Sequence, residues 1–129
     1  GGAALVYASE ILNHKDSSLS QDFCLGIDLV KKACYKPLEQ ILVNAGYDAS
    51  VIYETINTIL DSDNTWIGFD LKNESYIDMR KSGIIDPTKV TRTALENASS
   101  VAGTVLLTEC VVVEEPSEEK ATPDYNGMF

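Results

Sequence analysis

Apolar residues recur at three- and four-residue steps through most of this chain, and each break in that rhythm is marked by polar or turn-forming residues. Leu5, Ala8 and Leu12, flanked by Val6 and Ile11, predict a helix from Ala3 to about Asn13, ended by the polar run His14-Lys15-Asp16-Ser17-Ser18. Ser18 and Gln21 have the spacing of a capping box. Beyond them Phe23, Ile27, Val30 and Cys34 share one helical face, with Lys31 and Lys32 placed where the helix dipole favours cations. Pro37 predicts the start of a third helix, whose buried stripe is Leu38, Ile41, Leu42 and Ala45, and Gly46 suits a left-handed C-terminal cap. Ser50 is expected to cap a fourth helix with Ile52, Ile56 and Ile59 inside, and Asp61-Ser62-Asp63-Asn64 stops it.

The pattern then changes. Thr65-Trp66-Ile67-Gly68-Phe69 is aromatic and β-branched, Tyr76-Ile77-Asp78-Met79 can return beside it, and the intervening Asp70–Ser75 is polar, so a short β-hairpin is predicted. In Gly83-Ile84-Ile85-Asp86-Pro87-Thr88 the local chemistry is that of a helix start. Asp86 is expected as the N-cap and Pro87 as the first helical residue, where its missing N–H costs nothing. Val90, Ala94, Ala98, Val101, Ala102 and Val105 form the apolar stripe of a long helix running to about Thr108. Gly103 inside it costs about 1 kcal/mol relative to alanine, which predicts a close helix–helix approach there. Cys110-Val111-Val112-Val113 reads as a strand by composition, and Glu114-Glu115-Pro116 stops it.

The fold class expected is therefore mainly α, a helical bundle with one short β-hairpin and one C-terminal strand. Residues 1–115 form the domain and 116–129 an acidic, disordered tail without periodicity. The last strand has no partner in this reading. Its open N–H and C=O groups call for pairing with chain outside this sequence or with another subunit.

Composition narrows the function classes. At 129 residues the chain fits one domain able to bury roughly two-thirds of its unfolded surface. Its 44% apolar and 23% charged residues are those of an ordinary globular protein. A net charge of −10 argues against nucleic acid or an anionic membrane as partner, because both require a basic face. No apolar run approaches the ~20 residues of a membrane span, and the front shows no signal-peptide pattern. A start at Gly1-Gly2 rather than Met reads as a chain cut from something longer. Cys24, Cys34 and Cys110 are odd in number with no C-x-x-C, and His14 is the single histidine. Buried free thiols are expected rather than a disulfide framework or a zinc site.

No generic catalytic template fits. His14 lies in a polar break and reads as a solvated loop residue. Asp61 and Asp63 read as a solvated helix end rather than an acid–base or metal pair. Neither G-x-x-x-x-G-K-[ST] nor G-x-G-x-x-G occurs. The residues hold no self-contained active site.

One string carries more. Gly83-Ile84-Ile85-Asp86-Pro87-Thr88-Lys89-Val90-Thr91-Arg92 closely resembles G-I-[IL]-D-P-T-K-V-[TV]-R, a signature of the group I chaperonins, the GroEL-like family. Other segments fall into the same register. Lys36-Pro37-Leu38-Glu39-Gln40-Ile41 resembles the family's A-P-L-R-Q-I helix start. Thr91-Arg92-Thr93-Ala94-Leu95 and Ala98-Ser99-Ser100-Val101-Ala102 resemble its long last helix, and Thr108-Glu109-Cys110-Val111-Val112 its final strand. Gly127-Met128-Phe129 resembles the end of mitochondrial members.

The resemblance implies the C-terminal part of an equatorial domain in a mitochondrial-type, ATP-hydrolysing chaperonin of the mitochondrial matrix, or of another endosymbiont-derived organelle or bacterial cytoplasm. Such a protein folds others inside a homo-oligomeric ring. Its partners would be ring neighbours, unfolded clients and a co-chaperonin, the last two held by domains not in this sequence. ATP or ADP with Mg²⁺ would be the cofactor of the whole protein. By the same resemblance Gly1, Asp70, Leu71, Lys72 and Asp86 form the adenosine side of the pocket. Gly1-Gly2 stands in a glycine turn, Asp70-Leu71-Lys72 in a stem-loop meeting the adenine edge, and Asp86 beside the ribose.

The family's phosphate-binding G-D-G-T-T-T string and catalytic aspartates are not in this sequence, so the chain alone is expected to lack ATPase activity. The sequence also departs from the family. Gly-Gly-Met repeats are reduced to Gly127-Met128, Leu71-Lys72 stand where small residues are usual, and Asp61 to Thr65 is longer than in bacterial relatives. The rival reading is a stand-alone helical interaction module. It explains the helices and the acidity, but not the family strings.

Overall fold

Burial of one stripe from each of three helices organises the chain. The computed structural model describes residues 1–13, 16–108 and 112–115. Helix α1 spans Ala3–Ala8 and tightens into a 3₁₀ turn over Ser9–Asn13. Helix α2 runs Gln21–Asn44 and α3 runs Ala49–Leu60. Strands β1 (Ile67–Asp70) and β2 (Ser75–Asp78) form an antiparallel hairpin, and α4 covers Thr88–Leu107. The mainly helical architecture with one two-stranded sheet agrees with the expected fold class.

Val6, Leu38, Leu42, Ile56 and Ile59 form the core, with Tyr7, Tyr35, Tyr47, Ile52 and Phe69 packed against it. Each large apolar side chain so buried contributes about 1.5–3 kcal/mol. An isolated two-stranded hairpin is marginal in water, and this one is fastened through Phe69. That ring meets Tyr47 edge-on at 5.6 Å and Tyr76 at 5.2 Å. The Tyr47 hydroxyl also donates to Glu74 at 3.1 Å. The register pairs Ile67 with Asp78 and Asp70 with Ser75.

Several boundaries differ from the sequence reading, each for a physical reason. The first helix is half 3₁₀, because buried Ser9 satisfies its hydroxyl on the Val6 carbonyl at 2.6 Å. Ser20, not Ser18, caps α2 by accepting from the Phe23 N–H, while Ser18 belongs to a turn closed by Asp16. Pro37 starts no helix. It lies inside α2, which continues because Cys34, Leu38 and Leu42 bury one continuous face across the lost N–H. Asp48 caps α3, accepting from Ser50 and Val51, in preference to Ser50 itself. Gly46 does end α2 with φ +89°, and the Tyr47 and Gly46 N–H groups return to the carbonyls of Leu42 and Val43 as in a Schellman motif.

The last helix departs most. Asp86 caps nothing: Pro87 holds the N-cap position without a side-chain bond, and the helix begins at Thr88. No residue of α4 is buried, Val90, Val101 and Val105 are exposed, and nothing lies within 4 Å of a Cβ built on Gly103. The expected apolar stripe is present but has no cover among the described residues. Of the expected C-terminal strand, 110–113, Cys110 and Val111 lie outside the described residues, and Val112 and Val113 are exposed without regular structure. His14, Cys110 and the tail 116–129 also lie outside them. Cys34 is buried and Cys24 half-buried, both as free thiols. Among the described residues no helix is long and apolar enough to cross a membrane.

Candidate functional site

The start of the chain is wedged against α2 and held by a residue 84 positions away. Gly2 has φ +83°, and a Cβ there would stand 2.8 Å from the Leu38 backbone nitrogen, so glycine is required both by conformation and by space. Its N–H donates to Asp86 Oδ2 at 2.8 Å. The second carboxylate oxygen stays beside Gly1, where a Cβ would meet Asp86 Oδ1 at 3.2 Å and Ile41 at 3.3 Å. This contact replaces the helix cap expected of Asp86.

At the hairpin tip Asp70 is buried, and its carboxylate accepts from the Asn73 side-chain amide at 2.6 Å and the Lys72 N–H at 3.0 Å. Those bonds, the Asn73 one foremost, hold its pKa below the usual carboxylate range. They also fix the course of Asp70-Leu71-Lys72-Asn73 as an Asx-type turn. The hydrogen bonds of Asp48 (from Ser50 first) and Asp78 (from the Lys81 backbone first) lower their pKa values likewise.

A pH dependence follows from these directions. A carboxylate whose folded pKa is depressed binds fewer protons in the native state than in the unfolded one. Its stabilisation is complete above the ordinary value and is lost as pH falls through the depressed one. The urea midpoint should therefore hold above about pH 5 and decline below about pH 4. Asp70→Asn should flatten part of that decline, and an acid slope identical to wild type would contradict the role given to Asp70.

Two adjoining clefts open here. One, about 250 Å³, is lined by Gly1, Asp70, Leu71, Lys72, Ile41 and Ile84 among others. The other, about 350 Å³, includes Gly1, Asp86, Trp66, Tyr7, Ile85 and Thr88. Gly1, Met79 and Ile84 line both. Four of the five residues singled out in the sequence therefore share one cleft, and Asp86 reaches them through Gly1. Sequence reasoning missed Met79 and Ile41 as wall residues. Ile84 stood inside the ten-residue string, which was a usable signal; Met79 carried none. Trp66 lines the larger cleft with the Arg80 guanidinium 5.3 Å from its ring centre.

The model of the TCP-1/cpn60 chaperonin family matches residues 1–116. The chain belongs to that family. Chaperonins in general form oligomeric rings, act in protein folding and hydrolyse ATP. In this chaperonin chain the string 83–92 supplies Ile84, Ile85, Asp86 and Thr88 to the cleft walls.

The walls mix apolar side chains with two carboxylates and a single lysine. Such a lining accepts hydrogen bonds from hydroxyl or amine donors and gives a flat ring an apolar seat. It repels phosphates. Among the described residues no group of three or more His, Cys, Asp or Glu is placed to hold a metal ion.

Proposed function

We propose that this chain forms the C-terminal part of the equatorial domain of a group I, mitochondrial-type chaperonin, and supplies the adenosine side of its ATP pocket together with ring contacts. The observation that carries the reading is the Gly2–Asp86 hydrogen bond, which sets Gly1 and an open carboxylate oxygen at the junction of the two clefts. Gly1 and Asp86 flank the ribose, whose hydroxyls donate to Asp86. Asp70, Leu71 and Lys72 meet the base edge. Phosphate and Mg²⁺ chemistry falls to other parts of the subunit, so the chain alone binds without hydrolysing.

The uncovered apolar stripe of α4 supports this reading over a stand-alone module, because a finished module has little reason to leave a continuous apolar face in water. Unfolded clients and a co-chaperonin would be engaged by the rest of the subunit. The mitochondrial matrix is the proposed location, on the strength of Gly127-Met128-Phe129.

Trp66 is the single tryptophan and lines the larger cleft, so its emission reports on ligand directly. Adenosine and ADP should both produce a weak, saturable change, and inorganic tripolyphosphate none. A response to tripolyphosphate but not to adenosine would overturn the assignment of the nucleoside side. Silence toward all three into the millimolar range would remove nucleotide binding by this chain altogether.

A further inference from the structure

Three residues line both clefts, and of these Met79 alone is a buried side chain: Gly1 has none, and Ile84 is 41% exposed against 7% for Met79. Its backbone is pinned on two sides. The Met79 N–H donates to the Trp66 carbonyl at 2.8 Å, and its own carbonyl accepts from Ile84 at 2.9 Å. The side chain lies across the bare Cα of Gly68 in β1. A Cβ at Gly68 would stand 2.6 Å from Met79 Cγ and 3.0 Å from both Sδ and Cε.

Real Cβ atoms essentially never stand 2.6 Å from another carbon, so any larger residue at 68 must push the thioether away. Because Met79 lines both clefts, a shift of its side chain alters the walls of both. Methionine also suits an aromatic ligand, since its polarizable sulfur packs favourably on a ring and its three torsions adapt to the ring's edge.

We propose that Met79, kept back by the missing Cβ of Gly68, is the apolar wall against which the purine base of a bound nucleotide packs, and that this pair sets the room available to the base. The proposal rests on the nucleotide reading given above. It assigns a specificity-determining role to two residues outside the expected contact set. Gly68 is then more than a strand residue: its lack of a side chain keeps the cleft open.

The chain has two methionines, Met79 and Met128, so labelling the ε-methyl groups with ¹³C gives two signals, assigned with Met128→Leu. ADP should move the Met79 methyl upfield through the ring current of the base, with the same midpoint as the Trp66 emission, while tripolyphosphate leaves it in place. Gly68→Ala should weaken ADP binding by about tenfold, the scale set by overpacking a filled site. Met79→Ala removes the wall itself and should also weaken binding, and the double variant Gly68→Ala/Met79→Ala should bind no worse than Met79→Ala alone, because the new Cβ then has no thioether to displace.

Additive losses in the double variant are expected if Gly68 matters only to the strand. A Trp66 response with a stationary Met79 methyl would overturn the wall while leaving nucleotide binding intact. Silence of both probes would overturn the nucleotide reading and the wall together. A double variant clearly weaker than Met79→Ala alone would overturn the role assigned to Gly68.

Discussion

Gly2→Ala is expected to lower the unfolding free energy by about 2–5 kcal/mol, the sum of two separate penalties. The first is conformational. At φ +83° a residue with a Cβ pays about 1–2 kcal/mol for the left-handed region. The second is steric. The new methyl would stand 2.8 Å from the nitrogen, 2.9 Å from the Cα and 3.1 Å from the Cβ of Leu38, and backbone inside a packed helix has little room to retreat. Leu38 is itself a core residue, so moving α2 here disturbs the core it shares with Val6, Ile56 and Ile59. Gly46→Ala provides the control. It carries the same sign of φ, at +89°, but its Cβ would meet nothing within 4 Å, so only the conformational part should appear. Urea denaturation followed by circular dichroism separates the two. Equal costs at both positions would mean that α2 yields freely and that the wedge between Gly2 and Leu38 holds nothing in place.

What was legible in the sequence was what local chemistry decides. Gly46 had to be a left-handed turn, the aromatic run at 66–69 had to pair with 76–79, and the stripe from Val90 to Val105 had to be helical. Each follows from residues within one or two turns of one another. The misreadings arise where a local rule met a distant partner or a close rival. Asp86 before Pro87 satisfies every local condition for a helix cap, yet its carboxylate is taken by Gly2, and nothing in the spacing brings residue 2 to residue 86. Local chemistry permits Pro37 to start a helix. The continuous burial of Cys34, Leu38 and Leu42 decided otherwise. Asp48 and Ser50 are both good caps, and the carboxylate, which accepts two N–H bonds here, won.

The candidate site was legible in a different way. Composition and periodicity gave no hint that Gly1 lies near Asp70, Lys72 and Asp86; only the family resemblance of the glycine turn, the stem-loop and the string 83–92 placed them together. The structure brings these residues around two joined clefts, but it also shows that each carboxylate has a structural task first. Asp70 ties its own turn and Asp86 ties the start of the chain. A contact inferred from a motif is therefore entangled with folding, and a plain deletion of either side chain measures both at once.

Asp86 offers a way to separate them, because its two oxygens face different groups. Asp86→Ala leaves the Gly2 N–H without its acceptor and removes the oxygen beside Gly1. A partly buried donor so orphaned costs about 1–3 kcal/mol, and the Trp66 response to adenosine should vanish with it. Asp86→Asn is nearly isosteric but holds only one oxygen. If that oxygen stays on Gly2, the amide NH₂ faces Gly1, presenting a donor where a ribose hydroxyl needs an acceptor. The urea midpoint should then remain close to wild type, while adenosine binding weakens on the order of tenfold, the cost of one lost hydrogen bond. Stability and binding would thus part company in Asp86→Asn and fall together in Asp86→Ala. An Asp86→Asn variant that binds adenosine as well as wild type would show that the second oxygen meets no ligand. Asp86 would then be a latch alone, joining the first turn of the chain to the start of its last helix.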